Sequence, residues 1–418
     1  MDVKKEISSV LYLSYDGLTD PLGQSQILPY LTGLSTAGFD MTIISFEKKA
    51  RFTVDKKNIE AICEAYNIKW FPLFYTKSPP VLSTLKDLNT LKRKIGSLQK
   101  KTPFSLVHCR SYITALAGLW MKKKWNVKFL FDMRGFWVDE RVEGGLWKLS
   151  NPLYKIIYQY FKKKEKKFLE SADHIISLTE NGKNEIHSWK HITGQPVSVT
   201  VIPCCVDLDL FDPGKVNEAN VNELKQKLGI DSSATIISYI GSVGTWYMLD
   251  EMLDFFKRWL LKNPQSIFLF VTKDEKEKIM GAAKKAGINE KAVRIQQASR
   301  HDVPLMIMAS DYSIFFIKPV FSKKASSPTK QGEIMAMNKP VICNSGVGDT
   351  DIIINKYQSG ILIEQFTDEA YDKAIYQLES KKFDSENIRK GASEIFSLKE
   401  GIRRYAEVYT KTLNAEAN

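Results

Sequence analysis

The stretch TIISYIGSVGTWYM, residues 235–248, decides the fold. Its first six residues are mostly β-branched or aromatic and carry no charge, the pattern of a strand buried on both faces in a parallel sheet. Gly241 and Gly244 then break the strand, and a helical pattern starts at Met248. A strand that turns through glycine into a helix is half of a βαβ unit. The device stands also near the start of the chain, where VLYLSY (10–15) runs into DGLTDPLGQSQ (16–26) and a helix follows to about Ala37.

Outward from these two points the alternation continues. Further strands are predicted at 41–46, 68–73, 105–110, 128–133, 174–179 and 197–202, then at 266–272, 293–298, 312–318, 339–344 and 360–364, with helices between them. The pattern lapses after Pro203 and restarts at Thr235. The reading is an α/β protein of two Rossmann-like parallel-sheet domains facing a cleft, 1–205 and 234–396, joined by a linker at 206–233. Residues 397–418 are predicted as a final helix that continues neither sheet and packs back on the first domain. A length of 418 residues suits two hydrophobic cores better than one.

Composition narrows the function. No apolar run is long enough to span a bilayer, and Met1–Glu6 is charged with no signal-like apolar region behind it, so a cytoplasmic protein is expected. Cys63, Cys109, Cys204, Cys205 and Cys343 show neither CxxC nor paired Cys/His spacing, which points to reduced thiols rather than disulfides or zinc. The net charge of +12 asks for an anionic partner. Basic residues bunch at Lys122–Lys124, beside Trp120 and Trp125, and within Lys162–Lys167, beside Tyr158, Tyr160 and Phe161. Such runs suit peripheral contact with an anionic membrane surface, or are solvated helix faces. No nucleic-acid-binding signature accompanies them, and no nucleic-acid partner is expected.

In open α/β sheets ligands sit beyond the carboxyl ends of the strands. After the first strand, Gly17, Gly23 and Gln24 lie in a glycine loop opening onto a helix N-terminus, which offers N–H groups to an anion or is a tight βα turn. It is not GxGxxG, and no acidic residue is read after the second strand as a ribose clamp, so a nicotinamide enzyme is disfavoured. Gly241 and Ser242 form the matching loop of the second domain, with Trp246 and Tyr247 expected to need a partner.

The richest segment is KPVFSKKASSPTKQGEIMA, 318–336. Ser326, Ser327 or Thr329 can cap a helix, Pro328 fits its first turn, and Lys318 and Lys330 add positive charge where a diphosphate would meet the helix dipole. Glu333 either accepts from a ribose diol or pairs with Lys330 one turn back. The doublets Asp207/Asp209 and Asp349/Asp351 are placed in the linker and at a helix start, so no metal site is expected.

At these residues the chain resembles family 4 of the retaining glycosyltransferases, of GT-B architecture. GEIMAMNKPVICNSGVGDTDII (332–353) is similar to the family's EAMAxGxPVIxxxxGGxxEII pattern. SADHIISLTENGKNEI (171–186) and VTVIPCCVDLDLF (199–211) are similar to its ADxIIxxSxxxxxxL and VIPNGVDxxxF stretches. The resemblance implies a hexosyltransferase-like reaction: a sugar passes from a nucleoside diphosphate sugar to a hydroxyl of a glycan or lipid-linked acceptor. Configuration is retained, no cofactor or metal takes part, and the setting is polysaccharide or glycolipid assembly.

By the same resemblance residues 1–205 take the acceptor and 234–396 the nucleotide sugar. Gly23, Gly241, Ser242, Lys318, Ser326, Ser327, Thr329, Lys330 and Glu333 are the donor-binding candidates. Asp132, Arg134 and Lys330 are the catalytic candidates, and Gly17, Gln24 and His108 lie on the acceptor side. Arg134 stands at or near a position where relatives carry histidine, Ala325 where they carry a glutamate, Cys204-Cys205 where Asn-Gly is usual, and the loop 241–248 lacks their basic pair. Two other readings remain: a sugar-nucleotide epimerase on the same fold, and a non-catalytic nucleotide-sugar-binding subunit.

Overall fold

Strand β1 (Ser9–Ser14) is buried along its whole length and pairs in parallel with β2 (Asp40–Glu47) on one side and β4 (Leu106–Arg110) on the other. The computed structural model describes residues 8–79 and 81–415. With β3 (Lys69–Phe74), β5 (Lys128–Asp132), β6 (His174–Ser177) and β7 (Val199–Val201) the sheet is parallel throughout, in the order β3-β2-β1-β4-β5-β6-β7. The crossovers run through α1 (Pro21–Gln26), α2 (Leu28–Thr36), α3 (Lys49–Ala65), α4 (Leu82–Lys101), α5 (Ser111–Trp125), α6 (Trp137–Glu143), α7 (Pro152–Ser171) and α8 (Glu180–Ser188). The single helix expected up to Ala37 is therefore two. Pro29 cannot donate a helical hydrogen bond, and the chain leaves helical geometry at Ile27 before restarting.

A second sheet has six parallel strands: β8 (Ile236–Ile240), β9 (Ile267–Val271), β10 (Val293–Gln296), β11 (Tyr312–Phe315), β12 (Val341–Asn344) and β13 (Gly360–Ile363), ordered β10-β9-β8-β11-β12-β13. Around it lie α9 (Glu218–Lys227), α10 (Leu249–Leu260), α11 (Lys276–Lys285), α12 (Val303–Met308), α13 (Thr329–Ala336), α14 (Thr350–Tyr357), α15 (Asp368–Ser380) and α16 (Ser385–Phe396). Every strand read from the sequence is present. The one predicted to run to Lys318 stops at Phe315 because the backbone of Ile317 bonds the Asn344 side chain instead, through N–H (2.7 Å) and C=O (2.9 Å).

The described residues divide into two compact units, one formed by the chain up to Pro203 together with the chain from Leu398 onward, the other by Cys204–Ser397. Residues 206–233, expected as a linker, are part of the second unit: Val206, Phe211, Leu224 and Ile230 are buried in its core. The last helix, α17 (Leu398–Asn414), lies on the first sheet's unit against α2, where Gly33 leaves room for Ile402. Tyr405 and Tyr409 make edge contacts with Tyr30 and Phe39. Among the described residues no helix is long and apolar enough to cross a membrane.

Candidate functional site

In the second unit the loop after β8 is a seat for two lysines. Gly241 has a φ of 116°, and a Cβ there would stand 2.5 Å from the Lys330 Nζ, so glycine serves both the backbone and the ammonium. Lys330 is buried, with Nζ 3.9 Å from the Tyr247 ring centroid and 5.4 Å from that of Tyr239. Lys323, also buried, lies 3.7 Å from the ring of Trp246. The two aromatic residues expected to need a partner have one, as desolvated cation–π platforms. The loop is pinned by the Val243 N–H on Asp274 (2.5 Å) and by the Tyr239 hydroxyl on the Ser242 carbonyl. Lys318 reaches it by backbone, its N–H donating to the Trp246 carbonyl (3.0 Å), while its side chain is exposed.

Helix α13 begins beside this seat. The sequence reading put a hydroxyl at its cap and Pro328 in its first turn; Pro328 occupies the capping position and no side chain caps it. Ser327 Oγ instead accepts from the Cys204 N–H (3.1 Å), while Ser326 closes the short turn 321–325 and Thr329 is the first helical residue. The N–H of Gln331 donates to the Pro328 carbonyl (3.1 Å), and no side chain of the capping residue reaches those of Thr329 and Lys330. Glu333 does not pair with Lys330. It accepts from Arg300, which belongs to no motif, and whose guanidinium also lies 4.7 Å from the Phe211 ring centroid. Among the described residues Lys330 forms no ion pair.

The first unit's glycine loop proves to be closed rather than open. Glu47, the last residue of β2 and fully buried, accepts from the N–H groups of Leu18 (2.8 Å) and Thr19 (3.1 Å) and from the hydroxyls of Thr19 and Ser45. An acidic residue does end the second strand, contrary to the sequence reading, and it fills the place an external anion would take. Gly17 is glycine because a Cβ would stand 2.5 Å from that carboxylate. Gly23 lies inside α1, packed on the Gly17 carbonyl, so it is a packing residue and not part of a binding loop. Gln24 is exposed and donates to the Thr19 carbonyl (3.2 Å).

At the end of β5 the structure brings Asp132, Arg134 and His108 together, burying Asp132 and His108 and leaving Arg134 partly exposed. His108 bonds Asp132 Oδ2 through Nε2 (3.3 Å) and the Tyr409 hydroxyl through Nδ1 (2.7 Å). A carboxylate only accepts, so Nε2 carries the proton and Nδ1 accepts from Tyr409. Burial pushes the histidine's pKa down and keeps the ring neutral, outweighing Asp132. Burial would raise the pKa of Asp132, but Arg134, His108 and Arg110 outweigh it and hold the carboxyl below its usual range. Tyr405 donates to the same oxygen (3.0 Å), and Arg134 Nη1 lies 3.9 Å from it in a backbone with φ of 56°. Asp132 and His108 are enclosed, which leaves Arg134 as the member of this cluster nearest to solvent.

The chain matches the family model "Glycosyltransferase Family 4" over residues 27–210 and "Glycosyl transferases group 1" over 220–394. It belongs to the GT-B glycosyltransferases. Solved structures agree in fold. A sucrose-phosphate synthase from Thermosynechococcus elongatus superposes with a TM-score of 0.72 at 15% identity over 97% of this chain and 98% of that one. A glycosyltransferase from Rickettsia africae gives 0.72 at 17% over 98% and 100%. HepE of Anabaena, in complex with UDP-glucose, gives 0.67 at 13% over 96% and 99%. No curated protein shows a significant sequence match.

Two further expectations take shape in this glycosyltransferase. One aspartate of each doublet serves the backbone: Asp207 accepts from the Asp209 N–H (2.9 Å), and Asp351 from that of Gly346 (3.2 Å). The basic runs are partly neutralised, Lys122 by Asp173 (2.5 Å), Lys162 by Asp139 (3.1 Å) and Glu165, and Lys166 by Glu170 (3.7 Å).

Proposed function

We propose that this glycosyltransferase moves a sugar from a nucleoside diphosphate sugar to a hydroxyl of a glycan or lipid-linked acceptor, with retention of configuration and without an essential metal. The observation that carries the reading is Lys330: a buried ammonium over Tyr247, beside the uncapped start of α13, with no ion-pair partner among the described residues. A diphosphate placed there gains a fixed charge and helix N–H groups that need no rearrangement as negative charge grows on the leaving group. Lys323 and the exposed Lys318 supply the charge that the loop 241–248 itself lacks. Glu333 lies one turn further along α13, where it is to accept from the ribose hydroxyls, and Arg300 reaches it from the connection between β10 and α12. The departing phosphate oxygen takes the proton of the acceptor hydroxyl, so no separate base is required.

HepE, solved with UDP-glucose, supports a uridine nucleotide as the first donor to try. The test is a panel of nucleotide sugars screened for thermal stabilisation, because a ligand of the native state alone raises its apparent stability. The stabilising donor is then incubated with and without glycan or lipid-linked acceptors in EDTA. Transfer only with an acceptor, in EDTA, and with the anomeric configuration of the donor is the expected result. Isomerised sugar nucleotide without acceptor would make the chain an epimerase; binding with no turnover would make it a binding subunit. Activity restored only by magnesium or manganese would overturn the metal-free mechanism.

A further inference from the structure

Between Asp87 and Asp132 the sequence holds ten Lys or Arg residues and no Asp or Glu. The fold concentrates several of them. Helices α4 and α5 enclose a groove of about 840 Å³ lined by Lys92, Arg93, Lys100 and Lys101 from α4 and Lys124 from α5, with no carboxylate in its wall. Trp120 and Trp125 also line it, in a T-shaped pair with ring centroids 4.7 Å apart. Lys124 lies over both rings, 5.3 and 4.9 Å from their centroids, and Lys92 lies 5.6 Å from Trp120.

The neighbouring helix α7 extends this face. Its Lys164 has its pKa lowered by burial and by Lys167, Lys123 and Lys92, so cations of three helices crowd within electrostatic reach of one another. Toward its N-terminus Leu153, Ile156 and Tyr160, spaced as one helical stripe, are exposed, Ile156 by 64%. Leu146 and Leu149 are exposed just before it. A soluble partner's acidic patch would account for the cations but not for tryptophans beside them and a bare apolar stripe. An anionic bilayer accounts for all three: phosphates for the lysines, the headgroup layer for the indoles, and the acyl boundary for the stripe.

We infer that α4, α5 and α7 form a membrane-docking face, the α4–α5 groove taking lipid phosphates and the α7 stripe dipping into the interface. It differs from the basic runs read in the sequence, since Lys122, Lys162 and Lys166 are held in ion pairs and Lys92, Arg93, Lys100 and Lys101 replace them. The inference deepens the lipid-linked-acceptor reading, yet its evidence is independent of the donor chemistry.

The experiment is co-sedimentation of the full chain with phosphatidylcholine vesicles, with and without phosphatidylglycerol, at low and high salt. Binding should require phosphatidylglycerol and be released by salt. The variant Lys92→Glu/Lys100→Glu/Lys124→Glu should lose binding by at least ~tenfold with an unchanged melting temperature, since each basic side chain near the surface counts separately. Leu153→Gln/Ile156→Gln should weaken binding while leaving its salt dependence intact. Equal binding to both vesicles, or wild-type binding by the triple variant, overturns the docking face. So does stronger retention by a single-stranded oligonucleotide that the triple variant loses, which would assign the face to nucleic acid. Vesicle binding by a chain that no nucleotide sugar stabilises would count against the donor reading alone.

Discussion

The Lys330 ammonium sits 3.9 Å from the centroid of the Tyr247 ring, a cation held by a neutral π face where a carboxylate would have cancelled it. A carboxylate partner would compete with a diphosphate for the lysine; a tyrosine ring orients it and leaves its charge available.

Lys330→Ala should therefore separate folding from chemistry. The lost cation–π contact is worth about 1–2 kcal/mol at a desolvated site, a fall of a few degrees in melting temperature. Loss of a donor to the leaving group should cost ~10²–10³ in kcat. Tyr247→Leu, which keeps the charge but not its platform, should fall between variant and parent. Steady-state rates and thermal melts on all three proteins decide; equal rates would remove Lys330 from the mechanism.

Glu333→Gln keeps the shape of the side chain but weakens its charge-assisted bonds, about 1.5–3 kcal/mol each. Binding of the free nucleoside diphosphate should weaken by tenfold or more, as measured calorimetrically. Arg300→Ala removes only a partly exposed ion pair, for which about 0–1 kcal/mol is usual, and should alter affinity less. If both variants bind like the parent, α13 is an ordinary helix and the donor lies elsewhere.

Gly241→Ala introduces a Cβ 2.5 Å from the Lys330 Nζ at a φ of 116°. The strain is of order 1–3 kcal/mol, and the ammonium must move. Nucleotide affinity and turnover should drop as far as in Lys330→Ala, with a larger loss of melting temperature. Retained turnover would mean that the position of the lysine is not critical.

His174, buried and bonded to Ser198 and Thr200 (2.9 and 2.8 Å), has its pKa pushed down to about 4 by burial, with Lys411 adding repulsion. The unfolded chain takes up this proton below about 6.5 and the folded chain does not until about 4. Stability is therefore full above pH 6.5 and declines as pH falls from 6.5 toward 4, by about 1–3 kcal/mol for this group. Denaturant titrations across that window should show the slope, and His174→Gln should flatten it, leaving the part due to His108.

The strands were legible because their uncharged runs obey a period the sheet enforces, and so was the place of Lys330 and Glu333, fixed by the glycine loop and the segment 318–336. Their partners were not. Arg300 reaches Glu333 from a connection with no pattern of its own, and Tyr405 and Tyr409 reach Asp132 and His108 from a helix hundreds of residues away. Glu47 was readable in principle, as an acidic residue ending β2, but that it turns inward to satisfy Leu18 and Thr19 depends on the fold. The linker reading failed because VDLDLF is too short and too charged to show a period, although Val206 and Phe211 are core residues.

The hydroxyls of Tyr405 and Tyr409 have a consequence for how the molecule is made. The unit holding Asp132 is discontinuous in sequence, interrupted after Pro203 and completed only by α17. Domains generally form in order as synthesis proceeds, yet here the earlier sheet must wait, with His108 and Asp132 lacking two of their partners, while the whole of Cys204–Ser397 emerges. The second unit is the one able to finish first, and the first is sealed only when α17 follows it out of the ribosome.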